Sequence, residues 1–465
     1  TQAEEANPYF LFPNFYNHVT NISSAEYPIT NRIIEAYISK AATETGNQWI
    51  RNMAGLSEDE KGNIALQDKS FESLLKEQDD PDIIDNVIVT KSGFLFALMK
   101  GAVGPEKFDD FIYQYLSSHR FIAVPVDELN NQLTTSFNLD LNRYMPEWYK
   151  SKALPGYIIS GVKATNFQDN DQVKTAVSFV VTNTENIPGA VTVNFRLGGG
   201  GRGGGGGPRM FMGPGSDDLI EKTLALGAKE SKRVTYLLNQ SPRMMTVNTF
   251  ASHNIPSAIS ERFDKIETDD KAKFEEKEEV IAYFDGAEPN EIIVDTEDSG
   301  FAIEQPQSSS LIKRIFSAKP TADDLKYKGM NMWNPQVDWT LTTNDQFYGK
   351  QIRSAYYCKS GNGDHKAIWT LPVKDGGYYK AFAYIPRIRF GGWRGNDDDG
   401  TQEYIFKIVH DDGEDTQTID IKDIESGWVE LGSYHFSADV ARIELTNESK
   451  ARTVFADAIK LVKEN

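Results

Sequence analysis

The sequence predicts a multidomain α + β protein: a helical domain, then an immunoglobulin-like β-sandwich, then a jelly-roll-like β-sandwich. Three observations predict it. Apolar residues recur at three-to-four spacing up to about residue 150, and alternate at period two after Leu154-Pro155-Gly156. Past a highly charged stretch they alternate again from Asn290, in a segment dense in aromatic side chains. At 465 residues the chain exceeds what one hydrophobic core usually covers, so several domains are expected. The expected divisions are 1–153 helical, 154–260 sandwich, 261–289 a charged linker, and 290–465 sandwich.

In the helical part, Ile29–Ala54 places Ile33, Tyr37 and Ile38 on one stripe, and Gly104-Pro105 marks a stop and a restart. The next run puts Phe108, Phe111, Ile112 and Tyr115 on one face, with Pro105 in the favoured first turn. A last helix is expected within DLNRYMPEWYKSK. After Gly156 the strands YIISGVKATNF, TAVSFVVTNTEN and AVTVNFRL are each bounded by Asn, Asp, Gly or Pro, the spacing of an immunoglobulin-type sandwich. Gly198–Gly207 reads as a hairpin loop. A phosphate-cradling loop needs a Lys-Ser or Lys-Thr pair leading into a helix, and none follows. Residues 261–280 carry nine acidic and five basic side chains, the composition of a solvated segment. The last part holds five of the seven tryptophans and eight strand-like runs, from EIIVDTE to FADAIKLV, which a jelly roll would close.

Composition excludes several classes. A formal net charge of −19 disfavours nucleic acid and anionic lipid as partners. The single cysteine, Cys358, rules out an intramolecular disulfide. No run of 18 or more consecutive apolar residues is present, so no membrane span is expected. The chain opens without a basic start or apolar core of a signal peptide, and an upstream segment is expected.

Two resemblances extend this reading. Lys91–Phe121, KSGFLFALMKGAVGPEKFDDFIYQYLSSHRF, resembles the gluzincin aminopeptidase family in the stretch that follows its zinc site. The resemblance covers roughly residues 10–255 and implies a helical exit from a peptidase domain running into a β-sandwich. Zinc peptidase chemistry needs two histidines one helical turn apart with a glutamate base between them. The six histidines, His18, His119, His253, His365, His410 and His435, include no such pair, and the position of the family's oxyanion-steadying tyrosine is Thr90. No catalytic residue, metal or cofactor is therefore expected. The alternative is one piece of an active zinc aminopeptidase whose metal site lies on an upstream segment.

Residues Glu291–Glu464 resemble the golvesin-like domain found at the end of xanthan lyase-type proteins and described as carbohydrate-binding-like. The matching residues are EIIVDTEDSGF, VDWTL, AIWTLPVKDGGYYKAFAYIP, YIFKIVHDDGEDTQTIDI, GWVELGSYHF, IELTNES and VFADAIKLV, in order.

Aromatic rings bind sugars by stacking on pyranose faces while polar neighbours take the hydroxyls. The loop Arg387–Tyr404 has that composition, which nominates Trp393 and Phe390 with Arg389, Arg394 and Asn396, and Trp333 and Trp339 are nominated to line a groove. Trp369 and Trp428 are expected in the core. The clusters Asp397–Asp399 and Asp411–Asp415 lack calcium-loop spacing and read as turns, with His410 as a turn cap. The expected function is a non-catalytic scaffold that binds glycan or protein, forming the C-terminal portion of a peptidase-like envelope protein of Bacteroidota type. The expected partners are a polysaccharide, a cell-envelope protein or an upstream peptidase segment. Its expected location is periplasmic, outer-membrane associated or secreted.

Overall fold

The computed structural model describes residues 21–43, 56–77, 81–170, 172–197, 219–306, 326–331, 334–386, 388, 402–422, 424 and 426–464. The chain divides into two compact units, Thr1–Asn47 with Glu58–Asp285, and Gln48–Ser57 with Gly286–Asn465.

The first unit opens with strand β1 (Asn21–Ser23), then helices α1 (Thr30–Thr43), α2 (Glu58–Leu66), α3 (Phe71–Glu77), α4 (Pro81–Val103) and α5 (Pro105–Ser118). Strand β2 (Ala123–Pro125), α6 (Val126–Phe137) and α7 (Met145–Lys150) complete the helical part. The sequence punctuation works as anticipated. Gly104 sits at φ 98°, a conformation closed to most side chains, and Pro105 starts α5 where its missing N–H costs nothing. Ile33, Phe108, Ile112 and Tyr115 are buried in one core with Phe71, Phe94 and Trp148, while Tyr37, Ile38 and Phe111 pack on it half-buried.

Helix α4 is its central element. Among the described residues, Ile83–Val103 alone is long and apolar enough to cross a membrane, at a mean hydropathy of 1.2, and 67 % of that window is buried inside the protein. A helix apolar all round also suits the middle of a soluble core.

Two sheets follow. One orders β10 (Glu267–Thr268), β3 (Tyr157–Asp169), β4 (Gln172–Asn183), β7 (Ser231–Leu238) and β11 (Lys277–Ile281). The other orders β6 (Leu219–Leu226), β5 (Gly189–Leu197), β8 (Pro242–Asn248) and β9 (Ala258–Arg262). Their inward residues, among them Tyr157, Val177, Phe179, Val193, Phe195, Val234 and Val247, form the sandwich core. Helices and sandwich interlock within this unit. A Cβ at Gly93 would lie 2.4 Å from the Phe250 ring, so α4 approaches only because that position is glycine.

The charged segment 261–289 is not a linker over most of its length. It completes β9 and supplies both edge strands: β10 pairs parallel with β3, and β11 pairs antiparallel with β7. Phe263 and Ile266 pack against the core, and Phe274 meets Phe167 edge to face at 5.1 Å. The charge belongs to strand edges, where it discourages pairing with other chains. Hydrogen exchange read by mass spectrometry should be slower over Lys277–Ile281 than over Lys271–Glu275. Equal rates would return the segment to linker status.

Among the described residues, the second unit holds three sheets. The first orders β12 (Glu291–Val294), β23 (Ile459–Lys463), β17 (Gly377–Ile385) and β20 (Gly427–Phe436). The second orders β13 (Phe301–Glu304), β16 (Lys366–Val373), β21 (Asp439–Thr446), β18 (Glu403–His410) and β19 (Gly413–Asp420). A third joins β14 (Thr340–Thr343), β15 (Ser354–Lys359) and β22 (Thr453–Ala456). Trp369, Leu371, Tyr379, Tyr404, Phe406, Ile443 and Leu461 form the core between the first two. The eight expected runs are all strand-forming, but FADAIKLV is divided into β22 and β23 by Asp457-Ala458.

Candidate functional site

Strand alternation writes one face of the β12-β23-β17-β20 sheet into the core and the other outward. Along β17, Tyr379, Ala381, Ala383 and Ile385 are buried, which turns Tyr378, Lys380, Phe382 and Tyr384 out. The register sets Tyr384 opposite Trp428, Phe382 opposite Glu430 and Lys380 opposite Ser433, while Lys460 of β23 lies across from Phe382 on the other side. Tyr348, from the loop after β14, joins this outer face.

The rings form a half-buried cluster. Tyr348 and Trp428 have centroids 5.0 Å apart, Tyr384 and Trp428 5.3 Å, and Tyr348 and Tyr384 5.7 Å, all steeply inclined to one another. The Lys460 Nζ stands 4.8 Å from the Trp428 ring centre and 5.4 Å from that of Phe382. The same nitrogen lies 3.0 Å from Glu291 Oε1, and Lys380 Nζ lies 3.5 Å from Glu430 Oε2. Burial, reinforced by Asp295 and further carboxylates, pushes the Tyr348 phenol up, so it stays a neutral hydroxyl. The face thus offers apolar ring edges and faces beside fixed ammonium and carboxylate groups, the combination that holds a sugar ring and its hydroxyls.

Trp428 was expected in the core, and the reason it is not lies in β20. Leu431, Tyr434 and Phe436 point inward, but the ladder passes from Ala381↔Gly432 to Phe382↔Glu430 and leaves Leu431 as an extra residue. This bulge at Gly432, φ 136°, flips the side-chain parity upstream of it, so Trp428 faces outward. Trp369 is in the core as expected, 1 % exposed, with Nε1 donating to Asp457 O at 3.0 Å.

Of the nominated binding residues, Trp333, Arg389, Phe390, Trp393, Arg394 and Asn396 lie outside the described residues. Trp339 is described and does not line a groove. It is 5 % exposed in the core, its backbone N–H donating to Gln305 Oε1 at 2.8 Å. It belongs to the core cluster of the second unit, which a reading of the polar sequence around it does not show. Asp411 accepts from Ser437 N and Oγ and sits 2.9 Å from His435 Nδ1; the Ser437 bonds first, then His435, hold its carboxyl below the usual range. His410 Nδ1 accepts the Asp412 N–H at 3.3 Å, a turn cap.

In the first unit, Thr90 is buried and its hydroxyl donates to Asn86 O at 2.8 Å, one turn back in the same helix. Its neighbour Lys91 is 1 % exposed. Lys91 Nζ donates to Trp148 O and Trp148 Nε1 donates to Lys91 O, both at 2.9 Å. Burial pushes the Lys91 ammonium down to about 7. Among the described residues, no group of three or more His, Cys, Asp or Glu side chains is arranged to hold a metal ion.

No curated protein matches the chain. Solved structures match weakly. A Paenibacillus xanthan lyase gives 17 % identity and a TM-score of 0.27 over 68 % of this chain and 26 % of that one. A Podospora anserina GH26-CBM35 β-(1,4)-mannanase gives 11 % and 0.19 over 38 % and 28 %. A Bacteroides uniformis β-glucuronidase gives 9 % and 0.19 over 69 % and 31 %. The chain thus spans about a quarter to a third of these proteins, and such TM-scores do not establish a common fold. The family model of the golvesin C-terminal domain, in contrast, matches residues 328–463, which hold Tyr348, Phe382, Tyr384, Trp428 and Lys460. Residues 328–463, under a third of the chain, are thus similar to the golvesin C-terminal domain.

Proposed function

We propose that the second unit is a glycan-binding module and that the outer face of its β12-β23-β17-β20 sheet holds the sugar. One observation carries this: Tyr348, Tyr384, Trp428 and Phe382 gather on the solvent side of a sheet, flanked by the Lys460–Glu291 and Lys380–Glu430 pairs. Large rings on an outward face have no core to fill, and charged neighbours supply directional bonds to hydroxyls.

For the first unit the reading is a peptidase-derived scaffold without catalysis. Its support is the Lys91–Phe121 resemblance, which runs through α4 and α5, and the engagement of Thr90 and Lys91 in internal hydrogen bonds. The whole chain is then an accessory, binding portion of a bacterial envelope or secreted protein.

The test is retention of the full chain by a panel of bacterial and plant polysaccharides in affinity electrophoresis. Wild type should be retained by at least one member. Tyr384→Ala should weaken that retention by about tenfold or more, since losing a central aromatic anchor typically costs about 2 kcal/mol. Unchanged retention by Tyr384→Ala, or no retention of wild type by any member, contradicts the proposal.

A further inference from the structure

The break between β22 and β23 places a carboxylate in the interior. Asp457 is 2 % exposed; its Oδ2 accepts the Tyr348 N–H at 3.1 Å and its carbonyl accepts Trp369 Nε1 at 3.0 Å. Its Oδ1 is buried with no hydrogen-bond partner among the described residues. Strand β12 runs antiparallel to β23 with Val294 opposite Ile459, so the backbone of Asp295, the residue after β12, arrives beside this break. Asp295 is 9 % exposed. Its Oδ1 accepts the Thr296 N–H at 2.6 Å, and its own N–H donates to Asp298 Oδ2 at 2.9 Å.

Little positive charge balances the two carboxylates. Arg353 acts on Asp457, but its Nη1 donates to Asp345 O at 2.8 Å and its buried Nε has no partner among the described residues. Glu297, two residues after Asp295, is taken up by Tyr327, Ser354 and Lys326. Burial, then Asp295, pushes the Asp457 carboxyl up. Burial, then Asp298 and Glu297, pushes that of Asp295 up to about 8. Two buried carboxylates, one with an orphaned oxygen, are costly unless paired or coordinated.

We propose that Asp295 and Asp457 bind one divalent cation of the calcium type between the end of β12 and the β22–β23 break. The donors are all oxygens, which selects a hard cation, and calcium tolerates irregular sets completed by backbone carbonyls and water. Two carboxylates are fewer than a three-ligand cluster, so the affinity expected is on the order of 10⁻⁴–10⁻³ M, as in extracellular calcium modules. The site ties the first strand of the unit to its last and backs the Tyr348 segment of the aromatic face. It does not depend on what that face binds.

The experiment is a thermal melt of the full chain after EDTA treatment and dialysis, followed by tryptophan fluorescence and titrated with CaCl₂. Calcium should raise the melting temperature of wild type saturably, and at a hundred times Kd the folding equilibrium shifts about a hundredfold. Asp457→Asn removes the repulsion without the metal. It should melt higher than calcium-free wild type and lose the calcium response. Equilibrium dialysis of wild type against ⁴⁵Ca²⁺ should find one ion at a site that Asp295→Asn abolishes. No ion bound, a wild-type melt unmoved by calcium, or an equal calcium shift in Asp457→Asn overturns the proposal; the last would place the ion elsewhere in the chain.

Discussion

Lys91→Met is expected to stabilise the first unit by about 2 kcal/mol at neutral pH and to flatten its pH dependence. Lys91 is 1 % exposed, its Nζ bonded to a backbone carbonyl rather than paired with a carboxylate, and its ammonium is lowered from 10.5 to about 7 by burial alone. At 1.36 kcal/mol per unit, that drop bounds the cost of burying the charge at about 5 kcal/mol. Methionine keeps the length and loses the bond to Trp148 O, which offsets about 1–3 kcal/mol of that gain. The sign follows from proton binding. Below pH 7 both folded and unfolded chains are protonated at Lys91 and the full cost is present. Between about 7 and 10.5 the folded chain has shed a proton that the unfolded chain keeps, so stability rises with pH through that window. Urea denaturation followed by far-UV circular dichroism at pH 7 and pH 9.5 reads both effects. A less stable Lys91→Met variant, or wild-type stability from this residue that falls as pH rises, would contradict the burial argument.

The second large effect is at the junction of helices and strands. Asn63 of α2 is fully buried; its Nδ2 donates to Phe250 O at 2.8 Å and Asn254 O at 3.2 Å, and its Oδ1 accepts the Ser252 N–H at 3.3 Å. Asn254, equally buried, in turn holds Tyr157 at the start of β3, accepting from its N–H at 2.9 Å and donating to its carbonyl at 2.8 Å. Asn63→Ala strands two carbonyls and one N–H in the interior, at about 1–3 kcal/mol for each buried group left unpaired. A loss of about 3 kcal/mol is expected, with the helical signal at 222 nm and the sandwich melting together before and after the change. Helices that melt separately from the strands in wild type would show that residues 154–285 are energetically independent of the helices.

Most of the architecture was legible because periodicity reports on burial, and burial follows one rule for strands and another for helices. The Gly104-Pro105 restart, the strand runs and the Trp369 core position all come from such local patterns. The misreadings share a cause: each needed information from outside its own segment. The edge strands β10 and β11 look like a linker because their charge faces solvent, and their partners are about 40 to 100 residues upstream. Trp428 looks like a core residue because the bulge that turns it out is visible only in its pairing with β17. Trp339 looks accessible because its neighbours are polar, whereas its own side chain is inward. Asp295 and Asp457 are separated by more than 160 positions, and only the pairing of Val294 with Ile459 brings their backbone segments side by side.

The seven tryptophan indoles give the most direct view of the binding face. In a ¹⁵N-labelled full chain, each contributes one indole N–H resonance, assignable by single Trp→Phe replacements. On titration with a retained polysaccharide or an oligosaccharide cut from it, the Trp428 resonance should shift saturably, with the same midpoint as retention. The buried Trp369 resonance should stay in place. A shift confined to Trp333 or Trp393, with Trp428 unmoved at saturation, would place the glycan elsewhere and contradict the assignment of the β12-β23-β17-β20 outer face.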